Sequence, residues 1–145
     1  MDLLSHGGQN LGWVSLGQGD PTEAAVHFKE ALEFFREKGD QVNIAEVLEG
    51  FAGVAGAQGE GERAARLYGI ADSLRETIGA PLLPGDRPRY ERQLTSARSQ
   101  VGDEVWDAVW EEGRAMILEE AVSYALADEE AGGKYLHPRL RTSED

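Results

Sequence analysis

Few of the side chains that commonly carry out enzyme chemistry occur in this chain of 145 residues, and those that do are dispersed. The absence of cysteine excludes a disulfide framework, a thiol nucleophile and a cysteine-ligated metal centre. The three histidines, His6, His27 and His137, are too far apart for a metal motif such as H-E-x-x-H. The phosphate-binding motif G-x-x-x-x-G-K-[ST] is also missing. We therefore expect no metal, no cofactor and no catalytic residue, and we predict that the protein is not an enzyme.

Two further patterns could be taken for chemical sites, and each has a simpler structural explanation. Adjacent acids such as Glu111 and Glu112 could serve as an acid–base pair. Neighbours on a helix point about 100° apart, however, so we interpret these acids as solvent-facing residues. Gly53, Gly56 and Gly59 resemble a nucleotide-binding loop only in glycine content, because no strand precedes them and no lysine follows. We expect these glycines to permit close helix packing and a tight turn.

The charge of the chain bears on its partners. With 14 basic and 27 acidic residues the formal net charge is −13, which opposes binding to phosphate backbones and to anionic membranes. We therefore expect no direct nucleic-acid partner and no membrane partner. The first 19 residues lack the features of a signal peptide, which favours a cytoplasmic location. Residues 61–98 contain 7 Arg and 5 acids, whereas residues 101–130 contain 1 Arg and 10 acids. The acidic stretch is a solvated surface, a complement to the basic stretch or a docking surface for a basic partner.

Helical patterns extend over most of the chain. The segment 20–23 is a compact helix start, in which Asp20 caps the backbone and Pro21 fits the first turn. After it, apolar residues recur every three or four positions, as on one face of a helix. Alternating strand patterns are absent from the sequence. We predict an all-α protein with helices at about 2–17, 21–38, 41–58, 61–78, 87–100, 103–115 and 118–128.

An internal repeat relates two segments of the first 80 residues. Four positions are matched at an offset of 40 residues: Gly19, Ala24, Phe28 and Ala31 correspond to Gly59, Ala64, Tyr68 and Ala71. Glycine permits a tight turn between helices, alanine allows close approach, and the aromatic ring fills the space beside it. The pattern resembles the second half of the tetratricopeptide repeat, although the offset exceeds that family's usual ~34 residues. The resemblance implies a solenoid of about seven helices, built from helical hairpins in a right-handed superhelix and closed by divergent C-terminal helices.

A second resemblance extends over residues 11–127. The segments 11–14, 45–55 and 110–115 are similar to the C-terminal region of large bacterial signal-transduction ATPases and LuxR-type transcriptional regulators. In such proteins a P-loop ATPase module precedes an array of helical repeats, often with a DNA-binding module at one end. The resemblance implies that this chain is the terminal part of such an array. Its function would then be that of a non-catalytic interaction or sensor domain.

The tetratricopeptide resemblance also indicates candidate binding residues, because the first helix of each pair lines the concave surface in that family. The corresponding positions are Gln9, Trp13 and Leu16 in the first unit, and Glu46 and Glu49 in the second. An aromatic residue among polar neighbours in a groove suits capture of a protein or peptide partner. The alternative interpretation is that Trp13 packs in the core and does not contact a partner. The lysine and asparagine pattern of carboxylate-clamp repeats is absent, so we expect no binding of that type.

The segment 1–8 falls within the first predicted helix, with no capping helix before it. We expect this helix to expose an apolar face, through which the chain forms a homo-oligomer or packs on a neighbouring domain of a larger parent.

We predict one helical-repeat domain over residues 1–128. It would contain repeat units at about 5–38 and 45–78 and divergent helices over 86–128, with Trp106 and Trp110 packed at the closed end. Residues 129–145, which contain Gly-Gly, a proline and mixed charge, are expected to form a flexible tail. The alternative to a regulator domain is a free-standing adaptor or homo-oligomeric assembly protein.

Overall fold

The computed structural model describes residues 2–127 of the chain, with side chains from residue 8 onward. The described residues form seven α-helices and no strand, which confirms the all-α prediction. Every predicted helix boundary that falls within them lies within two residues of the observed one. The predicted tail, residues 129–145, lies outside the described residues. The helices are α1 (Asp2–Gly17), α2 (Pro21–Lys38), α3 (Gln41–Ala57), α4 (Gly61–Ile78), α5 (Arg87–Arg98), α6 (Asp103–Arg114) and α7 (Leu118–Leu126).

Four glycines with left-handed backbone conformations follow the first four helices. Gly19, Gly39, Gly59 and Gly79 have φ values of 82°, 68°, 79° and 67°, and they are spaced 20 residues apart. Glycine adopts this conformation without strain, so each one ends its helix and reverses the chain. The 40-residue repeat of the sequence is therefore a pair of 20-residue helix-and-turn units.

Aspartates start two of the helices that follow these turns. An Oδ1 atom of Asp20 accepts a hydrogen bond from the N–H of Glu23 (3.1 Å), and Oδ1 of Asp40 accepts one from the N–H of Asn43 (3.2 Å). Each bond satisfies a backbone donor that the helix itself leaves unpaired. The sequence also predicts Asp86 as the cap of α5, and that prediction is wrong. Its side chain makes no capping bond and instead lies 3.8 Å from the guanidinium of Arg89.

The first four helices form two packed pairs, α1 with α2 and α3 with α4, and α2 packs on α3. Phe28 of α2 is fully buried at the junction of three helices. A Cβ atom added at Gly12 of α1 would lie 2.6 Å from its ring, and one at Gly50 of α3 would lie 2.5 Å away. The two glycines therefore create the space that Phe28 fills, which explains the small residues of the sequence pattern.

The remaining helices do not continue the pairing. α5 lies against α3 and α4, and α6 runs closely along α4, whereas α5 and α6 contact each other much less extensively. Gly69 of α4 faces the backbone of Trp110, and Gly113 of α6 faces the backbone of Arg66. A Cβ atom at either glycine would overlap the opposing carbonyl oxygen, so these two residues set the short distance between the helices. Trp106 is buried as predicted, and Trp110 is half-buried.

Ion pairs connect the basic and acidic stretches of the chain. Arg66 of α4 donates to Glu112 of α6 (2.6 Å), and Arg114 of α6 pairs with Asp72 and Glu76 of α4. From the sequence, the acidic stretch is interpreted as a solvated surface, as a complement to the basic stretch or as a docking surface. These contacts agree with the second interpretation, in which the two stretches pair with each other. In addition, Arg63 donates to three carbonyl groups at the end of α7, at 3.2–3.3 Å.

Candidate partner-binding face

The five residues predicted to bind a partner lie on neighbouring helices, α1 and α3, and we call the surface that they form the α1–α3 face. It consists of Gln9, Trp13, Leu16, Glu46 and Glu49. Hydrogen bonds cross from one helix to the other. Nε2 of Gln9 donates to Oδ1 of Asn43 (3.1 Å), and Nε1 of Trp13 donates to Oε2 of Glu46 (3.1 Å). The face is thus a continuous structure in which Trp13 and Glu46 are direct partners.

Three of the five residues are buried. Gln9 is 6% exposed, Leu16 is 9% exposed and Glu49 is 4% exposed. Trp13 and Glu46 keep part of their surfaces accessible. The indole ring of Trp13 also packs edge-on against Phe28, with 5.1 Å between the ring centroids. Trp13 therefore packs on the core, as one of the two sequence interpretations predicts, and part of its surface remains accessible.

Glu49 forms a buried ion pair with Arg75 of α4. Nε of Arg75 donates to Oε2 of Glu49 (2.6 Å) and Nη2 donates to Oε1 (3.0 Å), and Nη1 donates to the carbonyl of Ala80 (3.1 Å). Burial raises the pKa of Glu49, although the guanidinium of Arg75 opposes that shift. The pair therefore ties α3 to α4 and to the segment after Gly79, and it leaves Glu49 little freedom to contact a partner.

Helix α5 covers the α1–α3 face. The guanidinium of Arg89 lies 3.7 Å from the centroid of the Trp13 ring, a cation–π contact. Tyr90 packs edge-on against Tyr68 of α4, with 5.3 Å between the ring centroids. The amide of Gln93 lies beside Gly53, where an added Cβ atom would be 2.9 Å from Oε1 of Gln93. The sequence predicts a groove around Trp13 that is open to a partner. In the structure a helix of the same chain, α5, occupies this groove.

The helix that covers the face is polar. Its sequence is RPRYERQLTSAR, and Ala97 is its only fully buried residue. The Nε atom of Arg89 and the hydroxyl of the buried Tyr68 have no hydrogen-bond partner among the described residues. α5 is held by the cation–π and edge-on aromatic contacts and by a short apolar stripe, Tyr90, Leu94 and Ala97, that packs on the core. Its packing on α3 and α4 is less extensive than the packing of α6 on α4.

A cavity of about 430 Å³ lies beside α5, where the segment after α4 crosses over the ion pair. Its lining includes both members of the pair, Glu49 and Arg75, together with Tyr90 and Arg87 of α5. Pro81 and Leu82 form its apolar side. Residues of α5 thus form one wall of the cavity, so a change in the position of α5 would change its shape.

The described residues contain no cluster of three or more His, Asp or Glu residues that could hold a metal ion. Of the histidines, His27 pairs with Glu23 at 3.3 Å. The side chain of His6 and the whole of His137 lie outside the described part of the chain. No helix between residues 2 and 127 is both long and apolar enough to cross a membrane.

The sequence predicted the helix α5 but not its position on the α1–α3 face or the contact of Arg89 with Trp13. One signal was present, because Tyr90 occupies the position 40 residues after Gly50. Gly50 admits Phe28 between α2 and α3, whereas Tyr90 meets Tyr68 edge-on. The bulk of Tyr90 therefore prevents α5 from packing on α4 as closely as α3 packs on α2, and the third unit departs from the repeat.

Comparison with known proteins relates this arrangement to transcriptional regulators. No family model and no solved structure matches the chain. A protein of Mycobacterium bovis and two from strains of Mycobacterium tuberculosis are each 30% identical to it over 112 residues, and all three are named HTH-type transcriptional regulators. The match covers 77% of this chain but only 13% of each relative.

This finding corrects the expectation that nucleic acid is excluded as a partner. The helix-turn-helix in the relatives' name is a motif that places a helix in the major groove of DNA. The exclusion was wrong because it rested on the net charge of a segment that spans only 13% of those proteins. What the comparison establishes is a sequence relationship between this chain and a stretch of HTH-type transcriptional regulators.

Proposed function

We propose that this chain is a tetratricopeptide-like, non-catalytic interaction domain of a transcriptional regulator, with residues 1–128 as one domain. In this proposal a protein or peptide partner binds the α1–α3 face and displaces α5. The relationship to HTH-type regulators and the paired helices with 20-residue turn spacing support it. DNA is then among the partners of the regulator as a whole.

The observation that carries the proposal is the position of Arg89 on Trp13. It supports a partner that presents a helix with a cationic side chain over the indole ring. Glu46 lies beside that site, with its Oε2 atom bound to the indole N–H. An aromatic face next to a carboxylate favours an arginine or lysine over an acidic group. We therefore expect the partner to present a basic residue at this position, which also agrees with the net charge of −13.

Displacement of α5 would be transmitted to α6. Arg98, the last residue of α5, donates from Nε to Asp103 (3.1 Å) and from Nη2 to Asp107 (3.4 Å), both on α6. These ion pairs would break if α5 left the face. A partner that binds only the open form would shift the population of α5 away from the face, and its binding would be coupled to the surroundings of α6.

The proposal can be tested with a fluorescein-labelled peptide of residues 86–101, which contains α5. In the intact chain the tethered α5 competes with this peptide for the face. Arg89→Ala in the chain removes the cation–π contact of the tethered helix but not that of the peptide. A contact of about 0.5–2 kcal/mol predicts that the peptide binds roughly two- to thirtyfold more tightly to the variant than to the original chain.

Arg92→Ala is the matched control, because Arg92 is an exposed arginine of the same helix. It should leave peptide affinity unchanged in a fluorescence-anisotropy titration. Adding Trp13→Ala to Arg89→Ala should abolish the gain, since the face then lacks its aromatic ring. Equal affinity for the Arg89→Ala and Arg92→Ala chains would contradict the proposal.

A further inference from the structure

The outer side of α1 carries two apolar residues that are half-exposed to solvent. Leu11 is 50% exposed and Val14 is 51% exposed, and a spacing of three places them on the same side of the helix. Single exposed apolar residues are common on protein surfaces. The internal repeat distinguishes these two residues, because their counterparts in the second unit are buried.

A shift of 40 residues takes Leu11 to Phe51 and Val14 to Val54, both in α3. Phe51 is 7% exposed and Val54 is 5% exposed. The preceding helix, α2, contacts them: the ring of Phe51 lies 6.0 Å from that of Phe28, and Ala25 lines the same recess as Phe51 and Val54. The end of α7 lines the other side of that recess. At the second unit, these two positions therefore form the surface that packs on the unit before it.

Positions at which the first helix of a pair packs on the second can be compared in the same way. Gly12 and Ser15 of α1 are buried, and so are their counterparts Ala52 and Ala55 of α3. Leu11 and Val14 therefore differ in exposure from their counterparts, whereas these within-pair positions do not. Among the described residues, no helix covers Leu11 and Val14 in the way that α2 covers Phe51 and Val54.

We propose that the outer side of α1, defined by Leu11 and Val14, is a stacking surface for one further helical hairpin of the same repeat type, present in the same longer polypeptide. The relatives support the longer polypeptide, because the matched region is 13% of their length. Asn10 restricts which hairpin can pack here. It corresponds in the repeat to Gly50, whose lack of a side chain makes room for Phe28. The helix that covers α1 therefore carries a residue smaller than phenylalanine opposite Asn10.

An extended chain tests this proposal. A copy of residues 1–40 is placed directly before residue 1, which keeps the 40-residue register, and Asn10→Gly in the original unit makes room for the phenylalanine of the copy. Because the chain contains no cysteine, Leu11→Cys in the original unit supplies a single thiol. We expect maleimide labelling of that thiol to be at least tenfold slower in the extended chain than in the original chain. Val105→Cys, at another half-exposed valine, should label at the same rate in both.

Two results would overturn the proposal. One is an unchanged labelling rate at Leu11→Cys in an extended chain whose helix content shows that it is folded. The other is protection in the original chain that grows with protein concentration, which would assign the surface to a second copy. Leu11→Asp gives a separate check that needs no labelling: it should lower the thermal unfolding midpoint of the extended chain and leave that of the original chain unchanged.

Discussion

The guanidinium of Arg89 lies 3.7 Å from the centroid of the Trp13 ring, and this contact joins α5 to the two helix pairs. The indole ring is held in place on two other sides, by Phe28 and by the carboxylate of Glu46. Arg89 therefore lies on a ring that its neighbours hold in place, whereas the helix that carries it is polar and half of its residues are exposed. The contact connects this helix to the buried core.

Arg89→Ala should make α5 open more often without unfolding the rest of the protein. Loss of the cation–π contact removes about 0.5–2 kcal/mol from the closed state of α5. Hydrogen–deuterium exchange of the α5 amides should accelerate, while exchange in the core of α4 should stay the same. Arg92→Ala provides the control at an exposed position of the same helix. Equal acceleration in α4 would show that Arg89 supports the whole fold instead.

Gly69→Ala and Gly113→Ala should each destabilise the protein, although alanine normally stabilises the interior of a helix by about 1 kcal/mol. The reason is steric, because the added methyl group would overlap the backbone of the facing helix. Overpacking of this kind costs about 1–3 kcal/mol or more. Chemical denaturation should show the loss for both variants. Gly85→Ala, with open space around it, should have little effect, and a comparable loss there would contradict the steric explanation.

Phe28→Ala should cost about 3–5 kcal/mol of unfolding free energy, because it empties the space between three helices. The ring is fully buried and is enclosed by Gly12 and Gly50, which cannot move inward to fill the cavity. Phe34→Ala, at a partly buried phenylalanine of the same helix, is the comparison. Urea denaturation should separate the two variants by at least 1 kcal/mol, and equal losses would show that Phe28 has no special packing function.

The burial of Glu49 beside Arg75 predicts how the stability of the protein changes with pH. Burial raises the pKa of Glu49 above its ordinary value of 4.5, so the folded state holds a proton that the unfolded state has already released. The free energy of unfolding contributed by this group therefore falls as the pH rises from 4.5 through the folded pKa. The stability of the original chain relative to Glu49→Gln should then be greater near pH 4.5 than near pH 8.

Denaturation at several pH values measures this difference. Glu120→Gln, at an exposed position of α7, reports the background trend. A relative stability that increases with pH would mean that Arg75 lowers the pKa of Glu49 more than burial raises it.

The sequence predicted the helices and the repeat well, because both depend on local chemistry. Asp20 with Pro21 starts α2, and the glycines at 20-residue spacing end the first four helices. Glycine and aspartate act through the backbone next to them, so their effect can be read without knowing the tertiary structure. The all-α fold follows from the same signals.

The position of α5 could not be predicted in the same way. Tyr90, Leu94 and Ala97 recur at helical spacing and mark the side that packs on the core, but this spacing does not indicate which helices that side contacts. The contact of Arg89 with Trp13 joins residues 76 positions apart, and cation–π contacts leave no spacing pattern in the sequence. Glu49 was predicted as a binding residue from its repeat position, and that position gives no indication of its ion-pair partner, Arg75 of α4.

The central claim is that a partner binds where α5 lies, and locking α5 in place tests it most directly. The Cβ atom of a residue at position 56 would lie 3.1 Å from Cβ of Ala97. Disulfides have Cβ–Cβ separations of about 3.5–4.5 Å, so a shift of a few tenths of an ångström between α3 and α5 would accommodate the bond. In this cysteine-free chain, Gly56→Cys with Ala97→Cys can therefore bond α5 to α3. Binding of the labelled 86–101 peptide should be lost when the double variant is oxidised and return when it is reduced. Equal binding in the oxidised and reduced forms would contradict the account, because α5 would then not need to leave the face.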